Sequence, residues 1–212
     1  MCKLILWFVK ITGFIPQLFY FRKKVYYVNK KESNRNIKGS AIIVSNHKRL
    51  FDFALYMYLF MFRDIYTLVS EVMFNKGKLF GWFLKKIGCI KVERDNADFG
   101  FLTKCVNLLN KGKVVEIFPE ARLPLKNETS LNEFKPSFVY LALESNAPII
   151  PIYTNGSYLK KERTKVIIGE RIYVQDLYDD NKSEKENINF ICNYVKEYIA
   201  NLEKILNEKE KN

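Results

Sequence analysis

Residues 41 to 53 read Ala41-Ile42-Ile43-Val44-Ser45-Asn46-His47-Lys48-Arg49-Leu50-Phe51-Asp52-Phe53. The first four form a short apolar run suited to a buried strand, and Phe53 opens a longer apolar segment, to Phe62, suited to a helix. His47, the only histidine of the chain, lies between them, with Asp52 five positions later. A regular helix would turn the pair through about 500° and leave the side chains about 140° apart. They can meet only where a loop enters a helix. An acid at the start of that helix is favoured by capping and by the helix dipole.

The alternation of strand and helix continues on both sides. Residues 25–28 read as a first strand and 30–39 as a polar connection. Residues 65–70 read as a strand, 76–86 as a helix, 89–93 as a strand and 98–110 as a helix ended by Gly112. Further on, 114–118 is a continuous apolar run, 134–145 is helical and 149–153 is another strand. Residues 166–168 and 171–174 are expected to pair as strands near the sheet edge. From Ser183 onward Ile188, Ile191, Cys192, Val195, Ile199, Leu202 and Ile205 recur at steps of three and four, which predicts an amphipathic helix over about 184–206. Residues 207–212 are polar and expected to fray.

This pattern predicts an α/β fold: a single domain with a mixed, mostly parallel sheet flanked by helices, preceded by an N-terminal membrane-associated helical segment. The expected limits are 1–23 for that segment and 24–206 for the domain. A length of 212 residues and 48% hydrophobic content suit one sizeable core and exclude a disordered chain.

Lys and Arg total 35 against 23 acids, a formal net charge of +12. That suits an anionic partner, whether membrane surface, phosphorylated substrate or nucleic acid. No nucleic-acid recognition motif accompanies the lysines, so no nucleic-acid partner is expected. Cys2, Cys89, Cys105 and Cys192 are far apart, and one histidine cannot complete the usual zinc ligand sets, so no metal site is expected. Reduced cytosolic thiols are the simpler account. The chain carries no G-x-S-x-G elbow, P-loop or G-x-G-x-x-G fingerprint.

Residues 4–21 are strongly apolar and aromatic, but Lys10, Pro16 and Gln17 interrupt them, and Arg22-Lys23-Lys24 follow. The uninterrupted length falls short of the roughly 20 residues that cross a bilayer. An interfacial anchor on the cytoplasmic face is expected, the alternative being a helix packed on the domain's own core. Residues 76–86 place Leu79, Phe80, Trp82, Phe83 and Leu84 between lysines, a second candidate membrane surface.

Three more segments read as loops at strand ends. Gly88-Cys89-Ile90-Lys91-Val92-Glu93-Arg94 ends a strand on arginine, Phe118-Pro119-Glu120-Ala121-Arg122 ends another on Glu and Arg, and Pro148-Ile149-Ile150-Pro151-Ile152 brackets a third with prolines. Together with Asn46-His47 to Asp52, their order and spacing resemble the glycerolipid acyltransferase family, of the lysophosphatidate acyltransferase type, over roughly residues 20–160. The resemblance implies that His47 is the general base for the acceptor hydroxyl and Asp52 its charge partner. It implies substrate-binding roles for Asn46, Arg94, Glu120 and Arg122, and a pocket-shaping role for Pro151.

The implied reaction moves a fatty acyl group from acyl-CoA or acyl carrier protein, as substrate rather than bound cofactor, to a lysophospholipid at a membrane. 1-Acylglycerol 3-phosphate is the expected acceptor. Two departures bear on this. Ala121 stands where the family pattern has glycine, and Ser137 where similar enzymes often carry glycine. Both are compatible with a non-catalytic lipid-binding protein on the same scaffold.

Overall fold

The computed structural model describes residues 1–93, 100–125, 127–128, 130–159 and 161–211. Two helices open the chain, α1 (Lys3–Thr12) and α2 (Phe14–Phe21), followed by strand β1 (Lys24–Tyr27). Strand β2 (Ala41–Ser45) leads through the His47 loop into α3 (Asp52–Leu59). Next come β3 (Ile65–Ser70), the short α4 (Glu71–Phe74), α5 (Lys78–Ile87) and β4 (Ile90–Val92). Then follow α6 (Gly100–Asn110), β5 (Val114–Ile117), α7 (Ser137–Ser145), β6 (Ile149–Thr154) and β7 (Lys165–Ile168). A 3-10 turn, Val174–Leu177, precedes the long α8 (Glu184–Lys211).

The seven strands form one sheet in the order β1-β7-β6-β2-β5-β3-β4. Every neighbouring pair is parallel except β6 with β7, which is antiparallel. β2 lies between β6 and β5, and all five of its residues are buried. Its side chains alternate between two cores, as the pleat of a strand covered on both faces requires. Ile42 and Val44 join the core that includes α7 and α8, while Ala41 and Ile43 join the one that includes α3. The carboxyl ends of β2, β5 and β6 therefore open side by side, the usual place for a ligand crevice in such a sheet.

The strand expected over 171–174 does not form. Ile172 makes only an isolated antiparallel bridge to Ile149, and Val174 begins the 3-10 turn. Pro151 supplies the reason. Its carbonyl accepts from the Gly169 N–H at 2.9 Å, and on that same side of an extended residue proline has no N–H to return, so the ladder breaks.

The C-terminal helix also departs from expectation, running on to Lys211 instead of fraying. Leu206 is buried, and Glu210 pairs with Lys165 at 2.6 Å, which together tie the last turns to the domain.

The N-terminal helices show one face to the protein and another to solvent. Leu6, Lys10, Gln17 and Phe21 are buried, whereas Leu4, Phe8, Ile11, Ile15 and Phe19 are 64–81% exposed. The Lys10 ammonium donates to Met61 O at 2.6 Å and Arg63 O at 2.9 Å, which lie beyond the end of α3. Burial lowers its pKa, with Asp64 opposing. Leu79 and Trp82 of α5 are exposed too, and the main chain joins α5 to the start of α1 through Cys2 N donating to Lys86 O at 2.8 Å. Among the described residues no single helix is long and apolar enough to cross a membrane, and α1 and α2, which together would be, are bent by 56°.

Candidate active site

Where β2 ends, Asn46 carries its hydrogen bonding one residue further. The side-chain amide donates to Thr154 O at 2.9 Å and accepts from Thr154 N at 2.8 Å, which pins the ends of β2 and β6 together. The residue is fully buried. Asn46 therefore ties the strand ends together and is itself sealed from solvent.

The next residue is held at three points. His47 N donates to Glu120 Oε1 at 2.8 Å, the ring stacks on Phe118 at 4.4 Å between centroids, and Nδ1 lies 2.9 Å from Asp52 Oδ2. That same oxygen accepts the main-chain N–H groups of Lys48 at 2.8 Å and Arg49 at 2.9 Å. Asp52, the first residue of α3, thus folds the preceding loop back onto itself and brings the imidazole to its carboxylate. Because Oδ2 acts as an acceptor throughout, the arrangement assigns the proton of neutral His47 to Nδ1 and leaves Nε2 with the lone pair. The imidazole is 18% exposed and the carboxylate fully buried.

The second carboxylate oxygen, Oδ1, accepts from the hydroxyl of Tyr158, a residue of the loop after β6. Burial, then the charge of Asp52, pushes the Tyr158 phenol far above its ordinary range. It remains a donor. Tyr56 of α3 behaves in the same way, again through burial first and Asp52 second, and shares a hydrogen bond with Ser45. Beneath them Glu116 is buried and accepts from Thr67 Oγ1 at 2.5 Å. Burial raises its pKa well above the usual carboxylate range and favours the neutral acid.

Glu120 divides its two carboxylate oxygens between two segments. While Oε1 holds His47, Oε2 accepts from Asn132 N at 2.9 Å and Asn132 Nδ2 at 3.0 Å. The residue is 6% exposed. Arg122 joins this network from its outer side, donating to Asn132 Oδ1 at 2.6 Å. Its guanidinium also grips Glu128 at both nitrogens, at 2.7 and 2.6 Å. The paired hydrogen bonds to Arg122, followed by the Leu125 N–H, hold the Glu128 carboxyl at about 2. A single hydrogen-bonded path thus runs from Arg122 through Asn132 and Glu120 to the main chain of His47.

The acyltransferase family model matches residues 24–155, a span that includes the whole of this arrangement up to the end of β6. The chain belongs to the acyltransferase family.

Over 150 residues this acyltransferase is 27% identical to a Bacillus subtilis (strain 168) protein named 1-acyl-sn-glycerol-3-phosphate acyltransferase, covering 68% of the chain and 72% of that protein. It is 28% identical over 133 residues to a protein of the same name from Limnanthes douglasii, covering 61% of the chain but only 46% of that relative. The crystal structure of the 1-acyl-sn-glycerophosphate (LPA) acyltransferase PlsC from Thermotoga maritima superposes with a TM-score of 0.64 over 96% of this chain and 78% of that one. At 15% identity that likeness concerns the fold.

The acyltransferase accommodates both departures from the family pattern. Ala121 adopts φ +56°, the left-handed region that glycine enters freely. Losing the glycine has therefore added strain without preventing the turn. Ser137 starts α7 with no positive φ, so the backbone conformation there does not require glycine. Pro151 lies inside β6, buried and opposite Val44, where it terminates a ladder. Arg94 lies outside the described residues.

Sequence reading missed Tyr158, Phe118, Asn132, Glu128 and Glu116. Phe118 opens a motif quoted above, which was a usable signal, whereas Tyr158 lies in the loop after β6, outside every quoted motif. No local feature singles that residue out among 13 tyrosines.

Proposed function

We propose that this acyltransferase esterifies the free hydroxyl of a lysophospholipid, with 1-acylglycerol 3-phosphate as the principal acceptor and a fatty acyl thioester, of coenzyme A or of acyl carrier protein, as the donor. The observation that carries the reading is the His47–Asp52 contact of 2.9 Å at the carboxyl end of β2. The imidazole is partly exposed and its partner sealed. The names of the two relatives support the choice of acceptor.

In this mechanism Nε2 of His47 takes the proton of the acceptor hydroxyl as its oxygen attacks the thioester carbonyl carbon. Asp52 stabilises the imidazolium that forms. As the tetrahedral intermediate collapses, the carbon–sulfur bond breaks, and the departing thiolate receives the proton from Nε2. The products are an ester and a free thiol. Arg122 presents a planar, exposed cation suited to the acceptor's phosphate, which must exchange with Glu128 for the guanidinium.

The exposed faces of α1, α2 and α5 support a seat in the interfacial region of the cytoplasmic leaflet, where apolar side chains enter the acyl boundary and lysines meet anionic headgroups. The lipid acceptor then reaches the site from the membrane. Ala121 and Ser137, which motivated a non-catalytic reading, are both accommodated by the fold.

The test is mass spectrometry of lipids formed when the purified chain receives mixed lysophospholipids with labelled acyl-CoA and labelled acyl carrier protein. The expected product is a labelled diacylglycerol phosphate. Absence of any acylated product with either donor contradicts the proposal.

A further inference from the structure

We infer that Tyr158 is a positioning residue for the catalytic pair: its hydroxyl fixes the Asp52 carboxylate and, through it, the orientation and proton affinity of the His47 imidazole. The inference rests on the reading of His47 as base.

The observations converge on one carboxylate. Asp52 Oδ2 is occupied by His47 Nδ1 and two main-chain N–H groups, so its orientation depends on what holds Oδ1. The hydroxyl of Tyr158 supplies that hold. Both residues are buried, at 0% and 8% exposure. In so dry a place a hydrogen bond to a carboxylate is strong, and a missing one is costly.

The ring that carries the hydroxyl is itself fixed. Phe21 meets it edge-on at 5.0 Å between centroids, and Tyr20 lies 5.8 Å away. The loop is tied to α2 through Leu159 N donating to Tyr20 O at 3.0 Å. Two residues beside Tyr158 adopt positive φ, Gly156 at +63° and Leu159 at +53°. For leucine this is a strained conformation, which persists only where the surroundings over-determine it. Gly156 is needed for close approach as well, since a Cβ there would lie 2.5 Å from Lys48 Cβ in the His47 loop. The chain accepts strain on one side of Tyr158 and depends on glycine on the other, and the outcome is a phenol delivered to Asp52.

The single histidine permits a direct test, because its imidazole signals in NMR need no assignment among others. The full chain is compared with Tyr158→Phe and with a chain carrying a ring-fluorinated tyrosine at 158, which keeps the packing and donates more strongly. Besides Asp52 and Tyr158 itself, the titratable groups next to the pair include Tyr56 from α3, Glu116 and Glu120 from β5 and its following loop, and Lys48 and Arg49 in the His47 loop. Both variants leave them in place.

Removing the hydroxyl leaves Oδ1 without its donor, concentrates charge on the carboxylate and favours the imidazolium. The His47 titration midpoint in Tyr158→Phe is expected to move to higher pH, and in the fluorinated chain to lower pH. The kcat of Tyr158→Phe falls about tenfold, the equivalent of one lost buried hydrogen bond, with both KM values nearly unchanged.

A folded Tyr158→Phe with the original midpoint and kcat overturns the inference. So does a lower melting temperature with no movement of the midpoint, which marks a structural role only. Should Tyr158→Phe fail to fold, an unmoved midpoint in the fluorinated chain overturns it equally. Retained turnover in His47→Ala, by contrast, removes the base assignment itself and leaves the NMR comparison as a separate result.

Discussion

Glu120 accepts the main-chain N–H of His47 at 2.8 Å and spends its other oxygen on Asn132. Three hydrogen bonds thus engage a carboxylate that is only 6% exposed. The role we propose for it is to fix the loop that carries the base. Replacing Glu120 by Gln puts an amide N–H against donors on one side of the network and loosens that loop. Because small misplacements of a catalytic group cost up to about a hundredfold, kcat is expected to fall roughly 10- to 100-fold. The acceptor KM should change little. Steady-state kinetics at varied acceptor decide the matter, and a raised KM with kcat intact would return Glu120 to substrate binding.

Ala121 sits at φ +56° in the turn after β5. An L-residue held there loses about 1 kcal/mol relative to glycine, part of which is offset by the greater freedom glycine brings to the unfolded chain. Ala121→Gly is therefore expected to raise the melting temperature and leave kcat near its original value. A lower melting temperature would mean that the methyl group contributes packing that outweighs the strain.

These two positions mark how far the sequence could be read. The period-two and period-3.6 patterns located all seven strands because apolar residues facing two cores leave a plain signal, as in Ala41-Ile42-Ile43-Val44 and Ile149 to Tyr153. The same patterns could not reveal that Pro151 breaks the ladder toward 171–174, which depends on which edge its missing N–H faces. At the site, His47 and Asp52 were legible because five-residue spacing across a loop and a helix start has a mechanical reading. Glu120 and Asn46 stood out in the sequence, but their hydrogen-bond partners did not. A carboxylate that binds phosphate-side groups and one that binds a main-chain N–H look the same until the loop from 130 onward is folded against them. Tyr158 was invisible because it reaches Asp52 from 106 residues away.

Arg122 holds Glu128 by two hydrogen bonds and Asn132 by a third. An acceptor phosphate must compete with Glu128, whose carboxyl, at about 2, stays charged at neutral pH. Arg122→Ala is expected to raise the KM of a phosphate-bearing acceptor roughly tenfold or more, as the loss of a charged hydrogen bond implies. Glu128→Gln should lower it, since the competing charge is gone. If neither variant alters that KM, the Arg122–Glu128 pair is only a staple of its loop.

The apolar faces of α1 and α2 offer a different measurement. Phe8 and Phe19 are 66% and 73% exposed. Burying one such ring is worth about 1.5–3 kcal/mol. Phe8→Asn with Phe19→Asn should therefore weaken binding to anionic phospholipid vesicles by more than tenfold while turnover of detergent-dispersed acceptor persists. Unchanged vesicle sedimentation would contradict a membrane seat on these helices.

The central claim is that the imidazole of His47 takes the acceptor's proton, and labelled acyl transfer by His47→Ala, measured beside its melting curve, tests it most directly. The account predicts a variant with an undisturbed melting curve and turnover lowered by about 100- to 10,000-fold, the range of general-base catalysis. A folded His47→Ala chain that still acylates lysophospholipid at the original rate would contradict it.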